Sequence, residues 1–192
     1  MKKLITCLLL GALSQSTWAL DNADQQRLSG IQQRWAQIQY ELPAAQRTAA
    51  FEQLASQAST FTSERQSLAE AWIWSGIVTS SWAGAQGGLG ALSKAKQAKV
   101  DLEKALALDP KALQGSAYTS LAALYDRVPG WPIGFGDADK AEQLLKQALQ
   151  LNPNGIDSLY FWGDHLYRQN ATPRPSRRCN KPCSPRRVPA EK

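Results

Sequence analysis

AEQLLKQALQLNP at residues 141–153 repeats the layout of KVDLEKALALDP at 99–110. Ala141, Leu145, Ala148 and Pro153 stand at intervals of four, three and five residues, and Ala98, Leu102, Ala105 and Pro110 keep the same intervals. Steps of three and four put both alanines and the leucine on one helix face. Asp109-Pro110 and Asn152-Pro153 stop the two helices, because proline disfavours α geometry in the residue before it. Small residues on a helix face are needed where a second helix lies close, so each segment implies a partner helix.

For 141–153 the partner lies just upstream. Tyr118, Leu121, Ala122 and Tyr125 follow one another at steps of three, one and three. Together with Ala141, Leu145, Ala148 and Pro153 they fill eight positions with residue types that resemble the signature of a tetratricopeptide repeat. Trp72, Ser75 and Gly76 fall at opening-helix positions of an earlier unit, and Leu159, Trp162, Gly163 and Leu166 at those of a third. The resemblance implies an all-α, right-handed solenoid of stacked helical hairpins.

Ala98 and Ala141 are 43 residues apart, whereas the repeat has a period of about 34. In the second unit the excess is the segment DRVPGWPIGFGD between Tyr125 and Ala141, whose prolines and glycines cannot continue a helix. In the first unit SSWAGAQGGLG precedes a helix over 91–108 and reads as a similar enlargement. Loops on a rigid scaffold vary freely and carry binding residues. The candidate binding residues are therefore Trp72, Trp74, Tyr118, Tyr125, Trp131, Phe135 and Trp162, in a groove or cavity and on the loop. The alternative is that Trp82, Trp131 and Phe135 plug gaps between helices.

Seven helices are predicted, over 22–40, 44–59, 64–80, 91–108, 113–126, 138–151 and 156–169, and no run alternates at period two long enough for a strand. Ser63 with Gln66 reads as a capping box, and Asp137 as the cap of the sixth helix. Leu28, Ile31, Trp35 and Ile38 face Phe51 and Leu54 in a degenerate first pair.

Lys2 and Lys3, an apolar run over 4–13 and Thr17-Trp18-Ala19 read as a secretory signal peptide over 1–19, cleaved after Ala19. The expected location is periplasmic or otherwise exported. No apolar run approaches the roughly 18 residues of a membrane span. The chain carries 22 Lys and Arg against 16 Asp and Glu. Seven of those bases lie in 171–192 beside one acid, and two more are Lys2 and Lys3, leaving thirteen against fifteen acids in 20–170. The repeat domain, 20–169, is thus mildly acidic and offers no nucleic-acid face.

From Asn170 the composition turns to Pro, Arg, Ser and Cys, and five prolines over 173–189 preclude a packed helix. A disordered basic tail is expected over 170–192. Its out-of-frame character would explain why a third unit opens at 156 without a closing helix; the rival reading is a basic arm for acidic lipid or polyanions. Cys179 and Cys183 lie in this tail and are free to pair in an exported compartment, without consequence for the fold.

Chemistry finds little to work with. His165 is the single histidine and is expected at a surface or groove; a structural zinc site needs about four ligands. Asp126, Asp137, Asp139 and Asp164 gather near the enlarged loop and read as caps and solvated groups. GAQGGLG lacks the Gly-Lys-Ser/Thr ending of a phosphate loop, since Lys94 is misplaced for it. No catalytic residue, cofactor or metal is assigned. The expected function is a non-enzymatic scaffold that binds a protein or peptide partner in the bacterial envelope. The alternative is a carrier of a small apolar solute: the export signal, the paired repeats and VPGWPIGFGD are similar to the T-component of TRAP-type solute transporters. That resemblance implies a cavity lined by Trp72, Trp74, Tyr118, Trp131, Phe135 and Trp162.

Overall fold

Ala98, Leu102, Ala105, Ala141 and Ala148 have no exposed surface, and Leu145 has almost none. The repeated stripe is the seam on which the helices are assembled. A computed structural model describes residues 20–171, without the side chains of Leu89 and Ala171. The predicted signal peptide, the tail beyond 171 and both of its cysteines lie outside the described residues.

Seven α-helices make up the described chain, with no strand among them. They are α1 (Asn22–Ala36, continued by a π turn, Gln37–Glu41), α2 (Ala44–Glu64), α3 (Ala69–Gln86), α4 (Gly88–Leu108), α5 (Ser116–Arg127), α6 (Ala138–Leu151) and α7 (Ile156–Ala171). Neighbours in sequence pack on one another, most extensively α3 on α4, α2 on α3 and α5 on α6. The odd-numbered helices also touch in order, α1 on α3, α3 on α5 and α5 on α7. None of the described helices is long and apolar enough to cross a membrane.

The small residues act as expected at one decisive place. A Cβ added to Gly76 of α3 would lie 2.5 Å from Cγ of Leu102 and 3.2 Å from the Ala98 carbonyl oxygen. Leu102 therefore seats in a notch that exists because residue 76 has no side chain. Ala122 on α5, equally buried, occupies the matching position and packs in the same core as Ala141, Leu144 and Leu145 of α6.

α3 is buried on two sides. Ala69, Ile73 and Ala83 join the core with α4, α5 and α6, while Ala71 and Val78 join a second core with Leu28, Ile31, Ile38, Phe51, Leu54 and Phe61. This explains why AWIWSGIV carries apolar residues all round the helix. Polar ties brace the N-terminal helices: Arg65 Nε, just past α2, donates to both Asp24 oxygens of α1 at 2.7 and 2.9 Å, and Thr48 Oγ1 of α2 donates to the Ala85 carbonyl of α3 at 3.1 Å.

Two expectations need correction. The first hairpin has no enlarged loop: α3 runs through Gly84 to Gln86, and the chain reverses at Gly87 and Gly88, whose φ values are +63° and +60°. Packing of Trp82 and Ala83 holds the helix where glycine content predicts a break. The added length of that unit is in its helices, 18 and 21 residues against 12 and 14 in α5 and α6. The Ser63 capping box is also absent. α2 continues to Glu64, and Ser63 Oγ donates to the Thr60 carbonyl at 2.8 Å. Asp137 does cap α6, accepting from the Lys140 amide at 3.0 Å.

Gly76→Val should lower the unfolding free energy by about 1–3 kcal/mol, because the notch is already full. Gly84→Ala, with open space around its Cβ position, should be neutral or stabilise by up to about 1 kcal/mol. Urea denaturation of the two variants distinguishes these outcomes.

Candidate functional site

A helix that buries an apolar seam leaves its other positions to form walls. Along α2 the polar positions Glu52, Ser56, Ser59 and Ser63 recur at steps of three and four, and along α4 so do Lys94, Gln97, Asp101 and Lys104. With Trp72, Ser75, Thr79 and Trp82 of α3 between them, these rows enclose an open groove of about 880 Å³.

Its floor is a buried carboxylate. Asp101 is 3 % exposed. Its Oδ2 accepts from Ser75 Oγ at 2.7 Å and its Oδ1 from Gln97 Nε2 at 2.8 Å. Burial raises the Asp101 carboxyl above its ordinary value of 3.8, opposed by those two hydrogen bonds. Lys94 Nζ stands 4.0 Å from the Trp82 ring centroid, a cation–π contact on the wall. The buried Trp82 Nε1 has no hydrogen-bond partner, whereas Trp72 Nε1 donates to the Gln66 carbonyl at 2.9 Å. The groove thus offers hydroxyls, an amide, two ammonium groups and aromatic faces, a set suited to hydrogen-bonding a polar chain.

Among the aromatic candidates, Trp72 lines this groove. Trp74 packs in the other core, its ring 6.0 Å from that of Trp35. Tyr118 is half-buried against the α5–α6 core. Tyr125 meets Phe135 edge to face at 5.5 Å. Trp131 is 90 % exposed, and Trp162 stacks on His165 at 5.9 Å. The aromatic residues expected in one cavity are spread over both cores and a loop tip. The hydroxyl rows of α2 and the polar row of α4 were the legible signal for the groove, and attention to aromatics passes over them.

The loop between α5 and α6 is enlarged as expected and is tightly folded. Gly136 and Gly134 amides donate to the Pro129 and Gly130 carbonyls at 3.0 and 3.1 Å, and the Asp137 amide to Tyr125 at 3.0 Å. A Cβ on Gly136 would overlap the Val128 carbonyl. Trp131 and Ile133 stand exposed at its tip.

His165 is a correction. It is 1 % exposed, and its Nδ1 donates to both oxygens of Asp126 at 2.9 Å. Asp164, next in sequence, points elsewhere and accepts from Arg127 at 3.2 Å and Arg168 at 3.0 Å. Burial works to raise the Asp164 carboxyl, and the two arginines outweigh it and hold it below its ordinary value. Asp126, Asp137 and Asp164 are thus engaged in ties and a cap.

No family model matches the chain, and no curated protein matches it.

Folded Asp101 holds its proton more tightly than the unfolded chain does, so its contribution to stability is full below about 3.8 and is lost as pH rises through the raised folded value. Thermal unfolding followed from about pH 7 to about pH 4 should therefore show the wild type gaining stability relative to Asp101→Asn, Asp164 being common to both. Parallel curves would contradict the buried carboxylate. His165→Ala should cost about 3 kcal/mol in urea unfolding by leaving Asp126 buried without its partner.

Proposed function

We propose that this protein is a non-enzymatic scaffold of the exported compartment, built as a tetratricopeptide-like solenoid, and that it holds a protein or peptide partner in the groove between α2, α3 and α4. The observation that carries this is the composition of the groove: an open channel walled by Ser56, Ser59, Thr79, Gln97 and the Asp101 network. A polypeptide presents an amide donor and a carbonyl acceptor at every residue, and hydroxyl and carboxamide side chains match both. Trp72 and Trp82 add flat apolar surface for a side chain of the partner.

The repeat architecture is supported by the shared spacing of the two stripes, by the notch at Gly76 and by the order in which odd-numbered helices touch. Export is supported by the leader-like first nineteen residues. The solute-carrier alternative draws on Trp72 and Trp82 alone, since the remaining aromatic candidates lie away from the groove.

Ser59 is exposed on the groove wall, so Ser59→Trp fills the channel without touching a core. Capture of binding proteins from envelope extract on immobilised protein should drop about tenfold or more for this variant, with an unchanged melting temperature. Equal capture by both proteins would reject the groove as the binding surface. Tryptophan fluorescence changes on titration with small apolar solutes, abolished by Ser59→Trp, would favour the carrier.

A further inference from the structure

Where α3 and α4 meet, the groove is built in rungs. The chain reverses at Gly87 and Gly88, and the two helices run antiparallel. Ser75 stands opposite Asp101, to which it donates at 2.7 Å, and Trp82 stands opposite Lys94, whose Nζ lies 4.0 Å from the ring centroid. The same register sets Thr79 opposite Gln97 and Trp72 opposite Lys104, and all four line the groove. From Lys94 to Lys104 the row is about 15 Å long, the span of four to five residues of an extended chain.

The middle rungs differ in what they leave free. Both oxygens of Asp101 are taken, one by Ser75 Oγ and one by Gln97 Nε2. A carboxamide bonded through its nitrogen keeps its oxygen as an acceptor. Thr79 is 7 % exposed, yet its hydroxyl has no hydrogen-bond partner among the described residues. A polar group buried to this degree is ordinarily paired. Its open side is the groove, so the partner of Thr79 comes with whatever fills that space.

The two ends of the groove differ in charge. Thr48 Oγ1 bonds to the Ala85 carbonyl, which sets the start of α2 beside the end of α3 and places Glu52 at the Trp82 end, across from Lys94. At the Trp72 end Lys104 faces Thr62, Ser63 and Gln66, with no acid among the described residues that line it there. Lys104 makes no ion pair among the described residues, and Asp101, one turn away, is occupied by its two neutral donors. An ammonium group set among neutral hydroxyls and amides is complementary to a carboxylate.

We propose, resting on the reading of this groove as a peptide site, that its occupant is an extended segment whose main chain bridges Thr79 and Gln97 and whose acidic side chain lies at Lys104. Thr79 Oγ1 donates to a carbonyl of the segment, and Gln97 Oε1 accepts from an N–H. Seven helical positions separate Gln97 from Lys104, so the acid stands about three extended residues from the bridged amide. Trp72, its Nε1 held by the Gln66 carbonyl, gives the stem of that side chain a flat wall.

The probe is a library of phage-displayed random nonapeptides, flanked on both sides by fixed residues so that no free carboxyl terminus is offered. It is selected on the immobilised full chain after depletion on Ser59→Trp, which carries the same basic residues over 171–192 and removes peptides held outside the groove. The wild-type pool should contain at least about twice the Asp and Glu of the input. The Lys104→Gln pool should return to the input level, and the Lys94→Gln pool should keep the excess. For a selected peptide, exchanging its acid for the amide should weaken binding to the wild type about fivefold and leave binding to Lys104→Gln unchanged. Thr79→Val, of the same shape, should weaken the acidic peptide and its amide form alike by about fivefold, while Thr79→Ser, which keeps the hydroxyl, should bind as the wild type does. A pool that survives depletion without an excess of acid, or with one that Lys104→Gln keeps or Lys94→Gln abolishes, overturns the acidic specificity and leaves the groove a peptide site. Unchanged binding by Thr79→Val overturns the main-chain contact. An empty pool overturns the proposal as a whole, and the peptide reading falls with it if Ser59→Trp captures extract proteins as well as the wild type does.

Discussion

Leu102 fills the space that a side chain at Gly76 would need, and the helices on either side are arranged around that contact. A leucine seated on bare backbone brings α3 and α4 closer than two helices with ordinary side chains can come. The alanines one turn away on each side, Ala98 and Ala105, keep the approach close along the helix. The same device, in milder form, joins α5 to α6 through Ala122 and the Ala141, Leu145, Ala148 stripe. A sequence that spends its small residues in this way fixes which faces meet, and the hairpins follow.

Close packing on one side of α4 has a consequence on the other. Asp101 adjoins Leu102 in sequence, so the turn that buries the leucine against Gly76 also carries the carboxylate inward, toward Ser75 on the facing helix. Ser75 is itself the neighbour of Gly76. Two adjacent residues on each helix thus supply an apolar contact and a hydrogen bond, and the polar half forms the floor of the groove. The cost of holding a carboxylate out of water is offset only in part by hydrogen bonds from Ser75 and Gln97, and burial prevails. The groove is a by-product of the packing seam, which gives it rigid walls on α2, α3 and α4.

Much of this was legible in the residues. Seven helices lie in the expected order, because stripes at steps of three and four and proline stops are local signals, although α2 runs on to Glu64 instead of ending at 59 and α3 spans Ala69–Gln86 instead of 64–80. The segment SSWAGAQGGLG misled, since four glycines argue for a loop and only the packing of Trp82 and Ala83 keeps α3 helical through Gly84. His165 was illegible for another reason: its partner Asp126 is 39 residues away, and nothing local marks the pair. The groove lies between. Its rows of serines on α2 and polar residues on α4 have helical spacing, but their convergence depends on how three helices cross. The aromatic residues, singled out by type, serve cores, a loop tip and a histidine stack as well as the groove wall.

The account rests on Gly76 and Leu102 acting as one unit, and a double-mutant cycle measures that directly. Gly76→Ala, Leu102→Ala and the double variant would be unfolded in urea beside the wild type. If the leucine seats in the notch, removing it makes room for the new methyl group, and the double variant should be more stable than the sum of the two single losses predicts by about 1 kcal/mol or more. Additive losses would mean that the two residues do not meet, and the packing seam proposed for this fold would be wrong.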